Sequence, residues 1–398
     1  MQGVTVSPVA SAADLKEFVE LPYRLYRSDP SWAPPLRSDV RWMLDTKKNP
    51  FWKHARRKLF LARRDGGGTS VSAGEKGGVV GRIAAIADDE HNRVHADRTA
   101  FFGFFECEND VEAAKALFEE AEKAALEILP GADRLRGPVN PSMNEEVGAL
   151  VPSESDPGIP FLMMTYNPAY YLDLFSSAGF AKEKDVVAIL APADDRSLRR
   201  LGRIAEGVRR REKGELVVRP IRMDRFAEDL SIVKDIYNRA WEKNWGFVPM
   251  TSDEIDAMAK KLKPLLHPPW VLFVEVDGRP VAFHLAIPDY NLVLNKLGGS
   301  LLPFGWLKFL FLKRKIDRVR TMALGVLPEY RRRGFEALLY CEAVREAVRL
   351  KYKWAEFSWM LEDNLAILRD LEVFGGRVYR RYRLVCRSVP SRRGASQT

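Results

Sequence analysis

Only three cysteines occur in the 398 residues, Cys107, Cys341 and Cys386, an odd number too scattered for a disulfide framework or a paired zinc-ligand spacing. A reducing compartment, the cytoplasm, is the expected home. The opening segment, MQGVTVSPVASAADLKEF, lacks a basic stretch followed by an apolar core and a small-residue cleavage site, so no secretory signal is expected there. No uncharged apolar run reaches the about 18 residues of a membrane-spanning helix. The longest stretch, Leu301 to Leu312, is broken by Pro303, Gly305 and Lys308. Gly-x-Ser-x-Gly, Walker and Rossmann Gly-x-Gly-x-x-Gly patterns are missing, which leaves hydrolase, kinase and dehydrogenase readings without support. His91 and His95 have helical i, i+4 spacing, but no nearby Cys or third His completes a set, so no metal is expected. His284, within AFHLAI, reads as a satisfied core histidine.

What is present is the balance of an ordinary globular protein, with 46% apolar and 29% charged residues. The length points to roughly two or three domains with room for sizeable cores. A formal net charge of +9 favours an anionic partner, and polyphosphate, anionic lipid and nucleic acid all qualify on that ground.

The two halves repeat one pattern, which predicts two similar lobes. Asp14 to Pro35 reads as an amphipathic helix followed by a Trp/Pro loop, and Asp229 to Trp241 with KNWGFVPMT repeats it. Each copy continues into two strands, KLFLARRDG with VVGRIAAIA and then WVLFVEVDGRPVAFHLAI, where Asp277-Gly278 marks a hairpin. A Gly/Ser-rich insertion, Gly66 to Gly78, separates the first pair and reads as a flexible surface loop. A third strand, TAFFGFFE or VRTMALGV, feeds a helix, Val111 to Leu129 or Gly334 to Leu350, with apolar residues at helical spacing. A fourth strand, RLRGPVN or AEFSWML, leads to another helix and a glycine stop at Gly179 or Gly375. The expected fold class is α/β with mixed sheets, in lobes over 1–190 and 216–398 joined by a basic linker helix over 191–215.

That linker, DRSLRRLGRIAEGVRRREKG, reads as a solvated charged face ahead of a nucleic-acid or membrane contact. A nucleic-acid partner is therefore not expected. The insertion from Pro288 to Asp317 carries LGGSLLPFGWLKFLFLKRK, whose apolar and aromatic residues closed by Lys and Arg suit a segment resting on a bilayer. An anionic membrane surface, at the inner face of the membrane, is one expected partner; a helix that merely covers the core is the equal alternative.

The strongest local pattern is VRTMALGVLPEYRRRGFEALLYCEAV, a strand, a proline, three arginines, a glycine and a helix. Such an arrangement aims the unpaired amides and positive dipole end of a helix at one small volume, suited to a pyrophosphate. Gly334 permits the close backbone approach that a bulkier residue obstructs. With Arg331 and Gly334 in place, the segment resembles the motif on which the GNAT acyl-CoA N-acyltransferase superfamily holds its CoA pyrophosphate. The resemblance implies a cofactor site of Leu324, Val326, Arg331, Arg332, Arg333, Gly334, Phe335, Glu336 and Ala337, with acyl-CoA as co-substrate. Glu336 stands where the family has a small residue. A second segment, LEDNLAILRDLEVFGGRVYRRYRLV, is similar to the superfamily's terminal motif and adds Asn364 to the site. Asn364 is equally explicable as a helix cap. Leu371 occupies the position at which the family carries a tyrosine that protonates the leaving thiolate, which leaves water or Tyr379 as the donor, or catalysis lost. The first lobe lacks the anion turn and places Glu106, Glu108 and Asp110 there instead, which repel a pyrophosphate. Its expected role is in the acceptor site, as in tandem-GNAT enzymes such as N-myristoyltransferases and Fem-type aminoacyl transferases.

Acyl transfer to an amine needs a proton acceptor and oxyanion donors. Glu356 and Ser358 share one face of a central strand by alternation, and burial there suits Glu356 to the role of base; Glu362 is a further catalytic candidate. A structural hydrogen-bonding role for the pair is nearly as well supported. GPVNPSMNEEVG supplies the substrate-binding candidates Asn140, Ser142, Asn144 and Glu145, beside Glu146, and Tyr166, Asn167, Asn244 and Trp245 complete the set. Turn chemistry, loop capping and aromatic packing explain these residues about as well. The favoured function is N-acyl transfer from acyl-CoA to an amine, and the layout is similar to bacterial lipid N-acyltransferases that acylate a long-chain sphingoid-type base. Two rivals stand beside it: a non-catalytic GNAT-fold binding or regulatory protein, and a tRNA-dependent aminoacyl transferase.

Overall fold

The computed structural model describes residues 3–64, 78–153, 158–301 and 303–390. The Gly/Ser-rich insertion, apart from Gly78, lies outside the described residues. Two compact units emerge: Met1–Asp185 with Gly298–Ser300 and Arg381–Thr398, and Val186–Leu297 with Leu301–Arg380.

Along the first unit run β1 (Val4–Pro8), α1 (Ala12–Leu25), α2 (Arg37–Leu44), β2 (Ala55–Arg64), β3 (Gly78–Asp88), α3 (Asp89–His95), β4 (Thr99–Cys107) and α4 (Val111–Ile128). They are followed by β5 (Arg134–Gly137), β6 (Val139–Asn140), β7 (Glu146–Val147), β8 (Ala149–Val151), α5 (Tyr171–Ser177) and the start of β9 (Ala181–Pro192). In the second unit β9 ends, and α6 (Asp195–Arg211), β10 (Leu216–Pro220), α7 (Phe226–Trp241), α8 (Ser252–Leu262), β11 (Val271–Val276) and β12 (Arg279–Pro288) follow. The chain continues through α9 (Asn291–Leu294), α10 (Gly305–Leu312), β13 (Arg318–Val326), α11 (Phe335–Arg349), β14 (Trp354–Leu361), α12 (Leu365–Val373) and β15 (Arg377–Ser388), whose C-terminal part returns to the first unit.

The first unit's sheet has the order β1-β2-β3-β4-β5-β15, and the second unit's has the order β9-β14-β13-β12-β11-β10. In each, one parallel pair sits among antiparallel neighbours: β4 with β5, and β13 with β14. Local chemistry places the ends of the elements. Ser11 and Asp14 form a reciprocal capping box on α1, and Thr251 and Glu254 do the same on α8. Asp277 and Gly278 both take positive φ, as a two-residue hairpin turn requires. The two glycine stops expected after the last helices, Gly179 and Gly375, also have positive φ, 80° and 87°.

Each unit has its own core. In the first, Ala113, Leu117, Phe118, Ala121 and Ala125 of α4 recur at helical spacing and pack with Phe102, Phe105 and Phe175. In the second, Phe335, Leu338 and Leu339 of α11 pack with Val274 and Val281 of the sheet and with Leu201, Ala205 and Val208 of α6. The arginine-rich linker helix is thus amphipathic, and its apolar face lies on α11. No helix among the described residues is long and apolar enough to cross a membrane.

Candidate active site

The second unit's sheet opens at its middle. β13 and β14 pair in parallel only from Arg318 with Trp354 to Thr321 with Phe357. Beyond that rung β14 keeps only β9, which it pairs with from Trp354 onward and which places Met360 opposite Val187, while β13 stays with β12 through a bulge between Leu285 and Ala286. Among the described residues no strand pairs with the other edge of Met322 to Val326. Leu324 and Val326, expected in the cofactor site, lie on that edge, and an extended ligand can add there as a strand.

The same strand runs into the anion turn. Pro328–Tyr330 forms one 3-10 turn, and α11 begins after Gly334 with no side-chain cap. Among the described residues nothing on the main chain accepts from the amides of Arg332, Arg333, Gly334, Phe335 or Glu336. Five successive N–H groups beside a helix start make a cradle for an anion. Its shape depends on glycine: Gly334 has φ +84°, and a Cβ there would sit 2.7 Å from Val208 Cγ2 on α6.

The three arginines differ. Arg331 donates to the carbonyl of Ala240, and Arg333 pairs with Glu212 while lying 5.0 Å from the Tyr330 ring centre and 5.2 Å from that of Phe335. Only Arg332, exposed and at φ +63°, makes neither a hydrogen bond nor an ion pair among the described residues. Glu336 turns its carboxylate onto its own amide. Burial raises its proton affinity, its own N–H opposes the shift, Asp370 adds to it and Arg331 opposes it. A carboxylate therefore shares the cradle that a pyrophosphate needs. Ala337 is buried, and its amide bonds to the carbonyl of Gly334 at 3.0 Å.

Asn364 stands at the start of α12, but its side chain makes no capping hydrogen bond. The capping explanation of this residue is thus not met. Leu371 is buried with Phe357 and Ile189, so the position of the family's tyrosine is filled by core packing. Between α11 and the sheet lies a narrow apolar cavity lined by Trp270, His284, Thr321, Tyr340, Ala355 and Phe357. His284 is held by the carbonyl of Trp270 at 3.2 Å and by Thr321 Oγ1 at 3.1 Å, and burial lowers its pKa to about 4. It is a neutral core histidine.

Glu356 and Ser358 do share one face of β14, opposite the face on which Ala355 and Phe357 line the cavity. β14 lies between β13 and β9, and Glu356 is wholly buried. Burial lifts its pKa to about 7, against the opposing influence of Arg320, the Ser358 hydroxyl and Arg380, with Asp289 adding to the rise. Arg320 Nε is 3.5 Å from Oε2, and neither carboxyl oxygen has a partner in good hydrogen-bond geometry among the described residues. Arg318 holds the equally buried Asp289 at 2.6 Å. Arg320, Asp289 and Arg380 are not among the residues that sequence pattern points to, although a charge directly after Val319 within a central strand is a visible anomaly. Glu362 lies just past the end of β14 and is half-buried.

The first unit has the same strand divergence and has closed it. β4 and β5 pair only from Thr99 to Phe101, and the chain after β5 then fills the gap. A Cβ on Gly103 would lie 1.7 Å from the Val139 carbonyl oxygen, and Asn140 Oδ1 takes the N–H of Phe104 at 2.6 Å. Asp110 caps α4 through the Ala113 amide at 3.1 Å. The acceptor candidates of this unit are mostly engaged. Asn140 also donates to Glu146 at 3.2 Å, Asn167 is bonded to both backbone groups of Leu150, and Tyr166 bonds to Asp29. Ser142 accepts the Asn144 amide at 3.2 Å, with Glu145 half-buried beside them. In the second unit Asn244 is exposed and Trp245 half-buried, on a loop tied down by Asn238, which bonds both backbone groups of Met250 at 3.0 Å. Asn238 was not foreseen, because a polar residue inside a helix gives no sign of the loop that it holds. No cluster of three or more metal-ligating side chains exists among the described residues, and the cysteines are free.

No family model matches the chain. It is 35% identical over 392 residues to the "Bacterial ceramide synthase" of Caulobacter vibrioides, covering 96% of each chain. It is 34% identical over 379 residues to "Protein YghO" of Escherichia coli, covering 93% of this chain and 92% of that one. Among solved structures it is similar to a tandem GNAT protein from the clavulanic acid biosynthesis pathway, with a TM-score of 0.55 at 14% identity over 97% of this chain and 99% of that one. The chain belongs to the family of these two bacterial proteins and has the tandem GNAT fold.

Proposed function

We propose that the protein transfers a long-chain acyl group from acyl-CoA to the amine of a sphingoid-type lipid base, working from the cytoplasmic side at a membrane surface. The observation that carries this reading is the row of five amides, Arg332 to Glu336, that have no main-chain acceptor among the described residues, following a strand edge that no described strand pairs with. Together they fit a diphosphate followed by an extended arm. The relation to a protein named ceramide synthase supports the lipid amine.

In the reaction the amine nitrogen attacks the thioester carbonyl, a C–N bond forms and the C–S bond breaks. CoA supplies the activated acyl group and leaves as thiolate. The open edge of Met322 to Val326 offers main-chain N–H groups to the developing oxyanion. Ser358 stands one pleat beyond Glu356, on the far side of the last paired rung. The amine's proton passes to Glu356 by way of the Ser358 hydroxyl. Leu371 cannot return a proton to the thiolate, so water does so. Within the second unit, the exposed Asn244 and the half-buried Trp245 are the residues proposed for the acceptor side.

Incubation with palmitoyl-CoA and sphinganine in detergent tests the reading: an amide and an equal amount of free CoA are expected. Turnover only with acetyl-CoA and water-soluble amines would reject the lipid acceptor. The buried Leu371 favours a second reading, a binding protein without turnover. Calorimetric binding of CoA with no thiol release across an amine panel is its signature.

A further inference from the structure

The second unit carries an apolar patch that acyl transfer does not use. α10 has no buried residue, and Trp306, Leu307, Leu310 and Phe311 of the helix are exposed together with the preceding Phe304. The two phenylalanines at its ends are 72% and 65% exposed, which excludes the alternative of a helix laid over the core. It is nevertheless fixed. Phe309 stacks on Tyr290 with ring centres 5.5 Å apart, and Lys308 Nζ bonds to the Lys296 carbonyl at 2.6 Å. One side of the helix thus holds the protein while the other presents aromatic and aliphatic groups to the outside.

Charge identifies what covers that side. Lys296, Lys308, Lys313, Arg314 and Lys315 all belong to this segment, and no acidic residue occurs between Asp289 and Asp317. Protein interfaces are depleted in lysine at their centres. Trp and Phe flanked by Lys and Arg match the boundary between acyl chains and anionic headgroups. Eight helical residues span about 12 Å, too short to cross a bilayer and long enough to lie on one.

We propose that α10 and the Lys313–Lys315 turn form a docking element that seats the second unit on an anionic lipid leaflet. The purpose assigned to it, access to a bilayer-dissolved amine, rests on the lipid-amine reading above; its test does not.

The test is flotation of the full chain with vesicles of phosphatidylcholine alone or containing phosphatidylglycerol. Binding to the anionic vesicles that weakens with salt is expected. Replacing Lys313, Arg314 and Lys315 together by Gln should lower that binding roughly a hundredfold, at about one kcal/mol per cation. The triple variant Phe304→Ser, Trp306→Ser, Phe311→Ser should abolish binding to both vesicles. Both variants should bind CoA as the parent does, which shows them folded, and should acylate a detergent-dispersed amine at the parental rate. Unchanged vesicle binding in both variants would overturn the proposal, as would a parent protein that ignores vesicles and uses this face to bind a protein. Vesicle binding as described without acylation of any amine leaves the docking element standing and removes the lipid-amine reading instead.

Discussion

Arg320 and Glu356 stand opposite one another on the parallel strands β13 and β14, Nε to Oε2 at 3.5 Å, one rung before the strands part. An arginine so close would normally hold a carboxylate ionised, yet burial prevails and the pKa of Glu356 rises to about 7. The carboxyl therefore changes charge near neutrality, as a general base requires.

Turnover should rise with pH through about 7 as Glu356 ionises, and Glu356→Gln should lower kcat by about a hundredfold to ten-thousandfold. CoA affinity should not change. A stability readout separates the charge from the chemistry. A carboxyl whose folded pKa lies above its unfolded value adds stability below the unfolded pKa and loses it as pH rises through the folded one. The variant should therefore gain in Tm relative to the parent as pH is raised from 5 to above 7. A pH-independent Tm difference would show that Glu356 does not titrate in this range.

Gly334→Ala should weaken CoA binding roughly tenfold or more, since a left-handed alanine costs about 1–2 kcal/mol and its methyl group meets Val208. Calorimetry measures it. Adding Val208→Ala should restore only the part due to contact, leaving the conformational part. Full restoration would mean that the positive φ of Gly334 is irrelevant to the cradle.

Glu336→Gln should tighten CoA binding roughly threefold to tenfold, because a carboxylate no longer competes for the first amides of α11. Its proton affinity is raised by burial, so acid neutralises it in the parent. The affinity gap between the two proteins should accordingly shrink as pH falls. A gap that widens in acid would contradict this account of the turn.

Asn140→Ala should destabilise the first unit by about 1–3 kcal/mol, by leaving the N–H of Phe104 without an acceptor in the filled gap. A lower Tm with unchanged CoA affinity is the expected result. Weakened CoA binding would instead place cofactor in the first unit.

Much of the fold was legible because periodicity and turn chemistry are local. The helices, the Asp277-Gly278 hairpin and the glycine stops follow from short windows of sequence. The anion turn was legible for the same reason, since strand, arginines, Gly334 and helix are contiguous. What was not legible depends on distant residues. Nothing near Gly103 shows that Val139 will occupy its missing side chain, or that the amide of Asn140 will be consumed there. The linker helix reads as a charged surface, and only the fold shows Val208 resting against Gly334. Glu356 was identified by alternation, but the residues that set its charge, Arg320, Asp289 and Arg380, come from three other segments.

The most direct measurement is amide hydrogen exchange across Arg332 to Glu336, with and without CoA. Grip of the diphosphate by these five groups predicts that they become protected on saturation. Saturable binding that leaves them exchanging as before, with protection arising elsewhere, would contradict the assignment of the site.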